Sequence, residues 1–146
     1  MKINQIAVFL QNKPGHLSGI CRTLADNGIN IVTLSLADTQ QFGILRLIVR
    51  DWRRASEVLE EAGYLVQMRE VVAVEVDDRP GGMADILDVV SASGVNIEYV
   101  YAFAFQRRSR AVLVFRFDNC DKAIETLKSS GRNVLDDVAI FADAQP

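Results

Sequence analysis

A chain of 146 residues with 16 basic and 19 acidic side chains has a net charge of −3 and the composition of a folded, water-soluble protein. It can bury roughly two-thirds of its unfolded surface, enough for one sizeable core or two small ones. Residues 1–70 carry 8 basic and 7 acidic side chains and residues 71–146 carry 8 and 12, so nucleic acid binding is not expected. No apolar run reaches the ~18 residues of a membrane span, and Met1-Lys2-Ile3-Asn4-Gln5 lacks the layout of a signal peptide. A cytoplasmic location without membrane contact is therefore expected. His16 is the single histidine, and Cys21 and Cys120 belong to no Cys-x-x-Cys pair. A structural zinc site needs about four ligands, so neither metal nor cofactor is expected.

Residues 3–10 read as a first strand. Leu17, Ile20, Cys21 and Leu24 follow at the spacing of a helix with one buried face, ended by Asn27-Gly28. Ile31–Ala37 is a second strand, Asp38-Thr39-Gln40-Gln41 a hairpin loop, and Gly43–Val49 a third strand. Asp51 can cap a helix whose apolar face is Ala55, Val58, Leu59 and Ala62, stopped by Gly63. Leu65–Arg69 is a fourth strand. The order β-α-β-β-α-β is a split βαβ unit.

The second half repeats it. An offset of 66 residues aligns Pro14 with Pro80, Gly15 with Gly81, Ile20 with Ile86, Gly28 with Gly94 and Asn30 with Asn96. Val71–Asp77 is a strand, and Met83, Ile86, Leu87 and Val90 mark a helix. Strands follow at Ile97–Phe105 and Ala111–Phe117, then a helix at Cys120, Ala123, Ile124 and Leu127, and a last strand at Val134–Phe141. The fold expected is α+β: two ferredoxin-like βαββαβ domains in tandem, residues 1–70 and 71–146, with antiparallel sheets and helices on one face. No Gly or Pro interrupts Leu65–Val74, so the two are expected to form one rigid body.

Each repeat has the same turn between its first strand and first helix, Asn12-Lys13-Pro14-Gly15-His16-Leu17 and Asp78-Arg79-Pro80-Gly81-Gly82-Met83. Asn12 and Asp78 sit where an N-cap belongs, and each proline stands near the first helical position. The glycine lets another molecule approach the backbone, and the free N–H groups of the helix start suit a carboxylate. Asn30 and Asn96, opening each second strand, can donate to a carboxylate and accept from an ammonium, although Asn after Gly is also ordinary turn chemistry. His16 suits a ligand contact or a structural role. Arg46, inside an apolar strand, suits an ion pair or a carboxylate. Arg107-Arg108-Ser109-Arg110 reads as a solvated hairpin loop. Ile97–Phe105 looks apolar on both faces, which suits a core strand or a dimer surface. No catalytic motif is present, so no enzyme is expected.

The paired motifs, Asn12-x-Pro14-Gly15-x-Leu17 with Gly28-Ile29-Asn30-Ile31 and Asp78-x-Pro80-Gly81-x-Met83 with Gly94-Val95-Asn96-Ile97, resemble the ACT domain. That regulatory module is attached to aspartokinases, 3-phosphoglycerate dehydrogenases and acetolactate synthase regulatory subunits. The resemblance covers the whole chain and implies a non-catalytic sensor that binds a small amino acid where ACT units meet. By position, one site would join Asn12, Gly15, His16 and Leu17 to Asn96 and Ile97. The other would join Asp78, Gly81, Gly82 and Met83 to Asn30 and Ile31. A homodimer and a separate metabolic enzyme are the implied partners. Acting as a regulatory subunit of such an enzyme, for example acetolactate synthase, is the alternative.

Overall fold

The computed structural model describes residues 1–38, 40–103 and 110–142. They form two compact units, one of Asn4–Arg69 and one of Met1–Ile3 with the described residues of 70–142.

In the first unit the strands are β1 (Ile3–Gln11), β2 (Ile31–Asp38) and β3 (Phe42–Val49), with helices α1 (His16–Asp26) and α2 (Trp52–Glu61). β1 and β2 each pair antiparallel with β3, and β1 also neighbours β4 (Leu65–Asp77). Alternation puts Ile6, Val8 and Leu10 of β1 on the same face as Leu45, Leu47 and Val49 of β3. Ile20 and Leu24 of α1 and Ala55, Val58 and Leu59 of α2 close that face into a core, with Val66 and Met68 packed at its side. Each fully buried Leu or Ile there contributes about 1.5–3 kcal/mol.

The second unit follows the same plan. The C-terminal part of β4 pairs with β6 (Arg110–Phe117) on one side and β7 (Val134–Leu135) on the other, and β6 pairs with β5 (Ile97–Ala102). α3 (Gly82–Ala92) and α4 (Cys120–Ser129) supply Ile86, Val90, Ala123 and Leu127 to a core with Val72, Val74, Phe115 and Phe117. The repeats agree in register: Ile31 pairs with Val49 as Ile97 pairs with Phe117, and a bulge follows in both. Equivalent side chains cap α2 and α4. Asp51 accepts from the Arg54 N–H at 3.1 Å and Asn119 from the Lys122 N–H at 3.0 Å. Each cap is worth about 1 kcal/mol. Lys2 bridges Glu70 at 3.1 Å and Asp121 at 3.3 Å, and the bond to Glu70, then that to Asp121, raises its ammonium pKa.

Three expectations are corrected. Leu65–Arg69 and Val71–Asp77 are one strand, because nothing in Leu65–Asp77 breaks β geometry. The last strand stops at Leu135, and Asp137–Ala142 is a short helix α5. Asp136 turns the chain by accepting the Ala139 N–H on its carboxylate at 2.8 Å and the Ile140 N–H on its carbonyl at 3.1 Å. Ile140 is buried while Val138 is 75% exposed, so the apolar run is not a buried strand. In β2 Thr33 is buried, and Leu34 and Leu36, on the helix side of an edge strand, are each 45% exposed. β5 is not a core strand within this chain, since Glu98, Val100 and Ala102 are exposed and Tyr99 and Tyr101 half-buried. Phe105 and Arg107-Arg108-Ser109 lie outside the described residues, and Arg110 is in β6, where its guanidinium faces Glu75 at 3.6 Å and Asp77 at 3.5 Å. Among the described residues no helix is long and apolar enough to cross a membrane.

Candidate functional site

The Pro-Gly pairs form type II turns ahead of the helices. In the first unit the His16 N–H reaches the Lys13 carbonyl at 3.4 Å, and Gly15 has φ 89° and ψ −18°. In the second the Gly82 N–H reaches the Arg79 carbonyl at 3.0 Å, and Gly81 has φ 87° and ψ −11°. Proline fits the second position of such a turn, and glycine the third, where φ is positive. The N-caps are therefore Gly15 and Gly81, which correct the assignment to Asn12 and Asp78. A proline-initiated turn displaces each helix start by three residues, so the asparagine and aspartate belong to the strand-to-turn junction.

A glycine cap has no side-chain acceptor. The first intrahelical bond of α1 runs from the Gly19 N–H to the Gly15 carbonyl at 2.9 Å, and no side chain caps the helix. The Leu17 and Ser18 N–H groups thus have no acceptor within the helix, and they lie at its positive end. Beside them is a pocket of about 170 Å³ lined by Leu10, Gln11, Asn12, Lys13, Leu17, Leu36 and Gly43. Its lining joins three leucines to the polar residues Gln11, Asn12 and Lys13. The Asn12 N–H is held by the Gln41 carbonyl at 3.0 Å. His16 folds back so that its Nδ1 accepts the Gln11 N–H at 3.2 Å, which ties the helix start to the end of β1. That bond requires the tautomer with its proton on Nε2.

The second turn is arranged differently. The Arg79 guanidinium lies across it, bonded to Asp85 Oδ2 at 2.8 Å and to the Pro80 carbonyl at 3.1 Å, with Asp77 Oδ2 at 3.7 Å. Asp85 stands in the first turn of α3, where the equivalent residue in α1 is Gly19. Gly82 is buried so closely against β4 that an added Cβ would lie 2.0 Å from the Asp77 carbonyl oxygen. It lines a small polar pocket of about 120 Å³ with Glu75, Asp77, Asp85 and Arg110. Asp78 and Gly81 are exposed, and Met83 packs on the core.

The remaining expected residues lie at the other end of each sheet. Asn30 is exposed beside a cavity of about 320 Å³, whereas Ile31 pairs with Val49 and packs on the core. Asn96 is exposed, and its N–H is taken by Asp118 Oδ1 at 3.0 Å; Ile97 packs on the second core. Of the expected set, Asn12 and Leu17 line one pocket, next to Gly15 and His16. Leu10, Leu36 and Gly43 complete it. Sequence reasoning missed them because they come from three strands and carry no motif. Arg46 is half-buried, opposite Ala7 and Ser35 in register.

Two antiparallel βαββαβ units, each with a glycine-capped helix start after its first strand, define a tandem ferredoxin-like fold. The chain belongs to the ACT domain pair family, whose model matches residues 1–142. ACT domains are small-ligand-binding regulatory domains. Protein BT0572 from Bacteroides thetaiotaomicron, known from a crystal structure, is 36% identical over 97% of this chain and 96% of its own, with a TM-score of 0.90. The ligand-free regulatory subunit of aspartate kinase from Thermus thermophilus is 19% identical over 87% of this chain and 91% of its own, with a TM-score of 0.64. Aspartate kinase from Synechocystis is 19% identical over 87% of this chain and 25% of its own, with a TM-score of 0.57. The last two share the fold. No curated protein matches the sequence significantly.

Proposed function

We propose that this protein is a non-catalytic sensor that binds a small amino acid at the Pro14-Gly15 turn of its first unit and passes occupancy to a separate enzyme. The observation that carries the reading is the pairing of an uncapped helix start with a leucine-walled pocket on one short turn. The Leu17 and Ser18 N–H groups suit the carboxylate and the Asn12 amide either end of the zwitterion, while Leu10, Leu17 and Leu36 suit a small apolar side chain. A second ACT unit, bringing an asparagine equivalent to Asn30 or Asn96, would close the open side. β2 ends the strand order beside this pocket, with Leu34 and Leu36 exposed, and so offers an edge for such a unit in a homodimer. We take residues 1–70 and 71–146 as the two functional ACT domains.

The second turn is the weaker binder in this reading, because Arg79 and Asp85 already satisfy each other across it and Asp78 repels a carboxylate. An amino acid of about ten heavy atoms gives roughly −4 to −8 kcal/mol, or millimolar to micromolar affinity. Calorimetric titration of the amino acid that most raises the melting temperature is the test. Asn12→Ala is expected to weaken binding about tenfold, the worth of one hydrogen bond to a charged group. Asp78→Ala is expected to change affinity less than about threefold. Loss of binding in Asp78→Ala alone would reverse the assignment.

A further inference from the structure

We infer that the second unit holds a site of its own for one small carboxylate, in the polar pocket at the start of α3, with Arg132 as its anchor. The pocket, about 120 Å³, has room for about four waters' worth of ligand. It lies between the end of β4, the first turn of α3 and the segment that leads from α4 to β7. Three acids line it, and each is already engaged. Glu75 Oε2 accepts from the Asn133 amide at 2.8 Å and faces the Arg110 guanidinium at 3.6 Å. Asp77 faces Arg110 at 3.5 Å and Arg79 at 3.7 Å, and Asp85 is bonded to Arg79 at 2.8 Å. Arg132 lines the same pocket, yet its Nε is buried and meets no hydrogen-bond partner among the described residues. A buried N–H donor without an acceptor is costly and is seldom left so in a folded protein. A carboxylate that takes Nε and one Nη side-on, in the two-bond fork arginine offers, supplies the acceptor.

In the first repeat a side chain fills the equivalent place. The Tyr64 N–H reaches the Leu59 carbonyl at 3.0 Å and the Arg132 N–H the Leu127 carbonyl at 2.9 Å. Each stands just after a positive-φ glycine, Gly63 or Gly131, so Arg132 is equivalent to Tyr64. Asp85 is equivalent to Gly19, since their N–H groups reach the Gly81 and Gly15 carbonyls, both at 2.9 Å. Tyr64 packs on the first core, and its hydroxyl lies so near Gly19 that an added Cβ there would stand 2.7 Å from it. The second repeat puts Arg132 and Asp85 in place of that tyrosine and glycine. Asp85 turns instead to Arg79, and the Arg132 guanidinium is left beside a pocket. A free short-chain acid and a glycine-sized amino acid share the carboxylate chemistry, the latter adding an ammonium that the lining acids can face. The site is separate from the Pro14-Gly15 turn and does not depend on it.

The full-length protein, labelled with nitrogen-15, is titrated with acetate and with glycine while the arginine Nε–H resonances are followed, that of Arg132 being identified by its loss in Arg132→Gln. A saturable shift of the Arg132 Nε–H and of the Gly82, Asp85 and Asn133 amides is expected with acetate, glycine or both, at roughly millimolar affinity. The tighter of the two identifies the source. Arg132→Gln and Arg132→Tyr, the second of which installs the first repeat's residue, are each expected to weaken the binding read at those amides about tenfold or more. Their melting temperatures should fall no more than about 3 °C below the parent, since the guanidinium Nε gives up no protein partner. Asn12→Ala is expected to leave these shifts unchanged, so failure of the turn site and failure of this one are told apart. The inference is overturned if neither acid gives a saturable shift by about 50 mM or if chloride at the same concentration reproduces it. It is equally overturned if either Arg132 variant binds as the parent does, or if Asn12→Ala abolishes the shifts.

Discussion

Gly82→Ala is expected to destabilise the second unit by about 3 kcal/mol, the upper range of overpacking a close-packed site. The added Cβ would stand 2.0 Å from the Asp77 carbonyl oxygen and 3.1 Å from its carbonyl carbon. Those are backbone atoms of the strand that anchors the turn, so no side-chain rotation relieves the clash. The first turn of α3 must move off β4, taking Met83 and Ile86 out of their packing. Gly15→Ala is the contrast: nothing lies within 4 Å of its Cβ position, so the cost is only the left-handed φ of 89°, about 1 kcal/mol. Far-UV circular dichroism during heating reads both. Trp52 is the single tryptophan and lies in the first unit, so its fluorescence should report less of the Gly82→Ala loss. Equal melting curves for the two variants would contradict the packing described for the second turn.

Leu36→Glu is expected to abolish amino acid binding at the first turn while leaving the fold intact. Leu36 is 45% exposed on an edge strand and lines the turn pocket with Leu10 and Leu17, so its replacement costs little core burial. A carboxylate there opposes the ligand's own carboxylate and takes away an apolar wall. The sum of those losses is more than about 2 kcal/mol, or over thirtyfold in affinity. Calorimetry measures the loss, and the melting temperature without ligand, expected within about 3 °C of the parent, shows that it is local. Retained affinity would mean that the ligand does not use this pocket.

The sequence made the repeat, the helix faces and the strand pairing readable, because apolar residues recur at spacings that only one packing satisfies. Asp51 was legible as a cap for the same reason: it stands directly before a helical pattern. Asn12 and Asp78 misled because a Pro-Gly turn intervenes, and only the positive φ of Gly15 and Gly81 places the true cap. The last helix was read as strand because Val138-Ala139-Ile140-Phe141 is apolar throughout, and the Asp136 carboxylate that turns the chain is a tertiary detail. The leucines of β2 alternate as a buried strand does, yet the edge position leaves them half-covered. At the candidate site the turn itself was legible. Gly43 and Leu36 were not, since they reach the pocket from neighbouring strands, nor was the Arg79–Asp85 pair, six residues apart, that separates the two turns.

The most direct measurement is a nuclear magnetic resonance titration of uniformly nitrogen-15-labelled protein with the amino acid that gives the largest thermal shift. The amides of Lys13, Leu17 and Ser18, together with Leu36 and Gly43, are expected to move first and saturate together, while those of Arg79–Asp85 move later or not at all. Saturation at Arg79–Asp85 with the Leu17 and Ser18 amides unmoved, or no saturable shift with any of the twenty amino acids, would contradict the account.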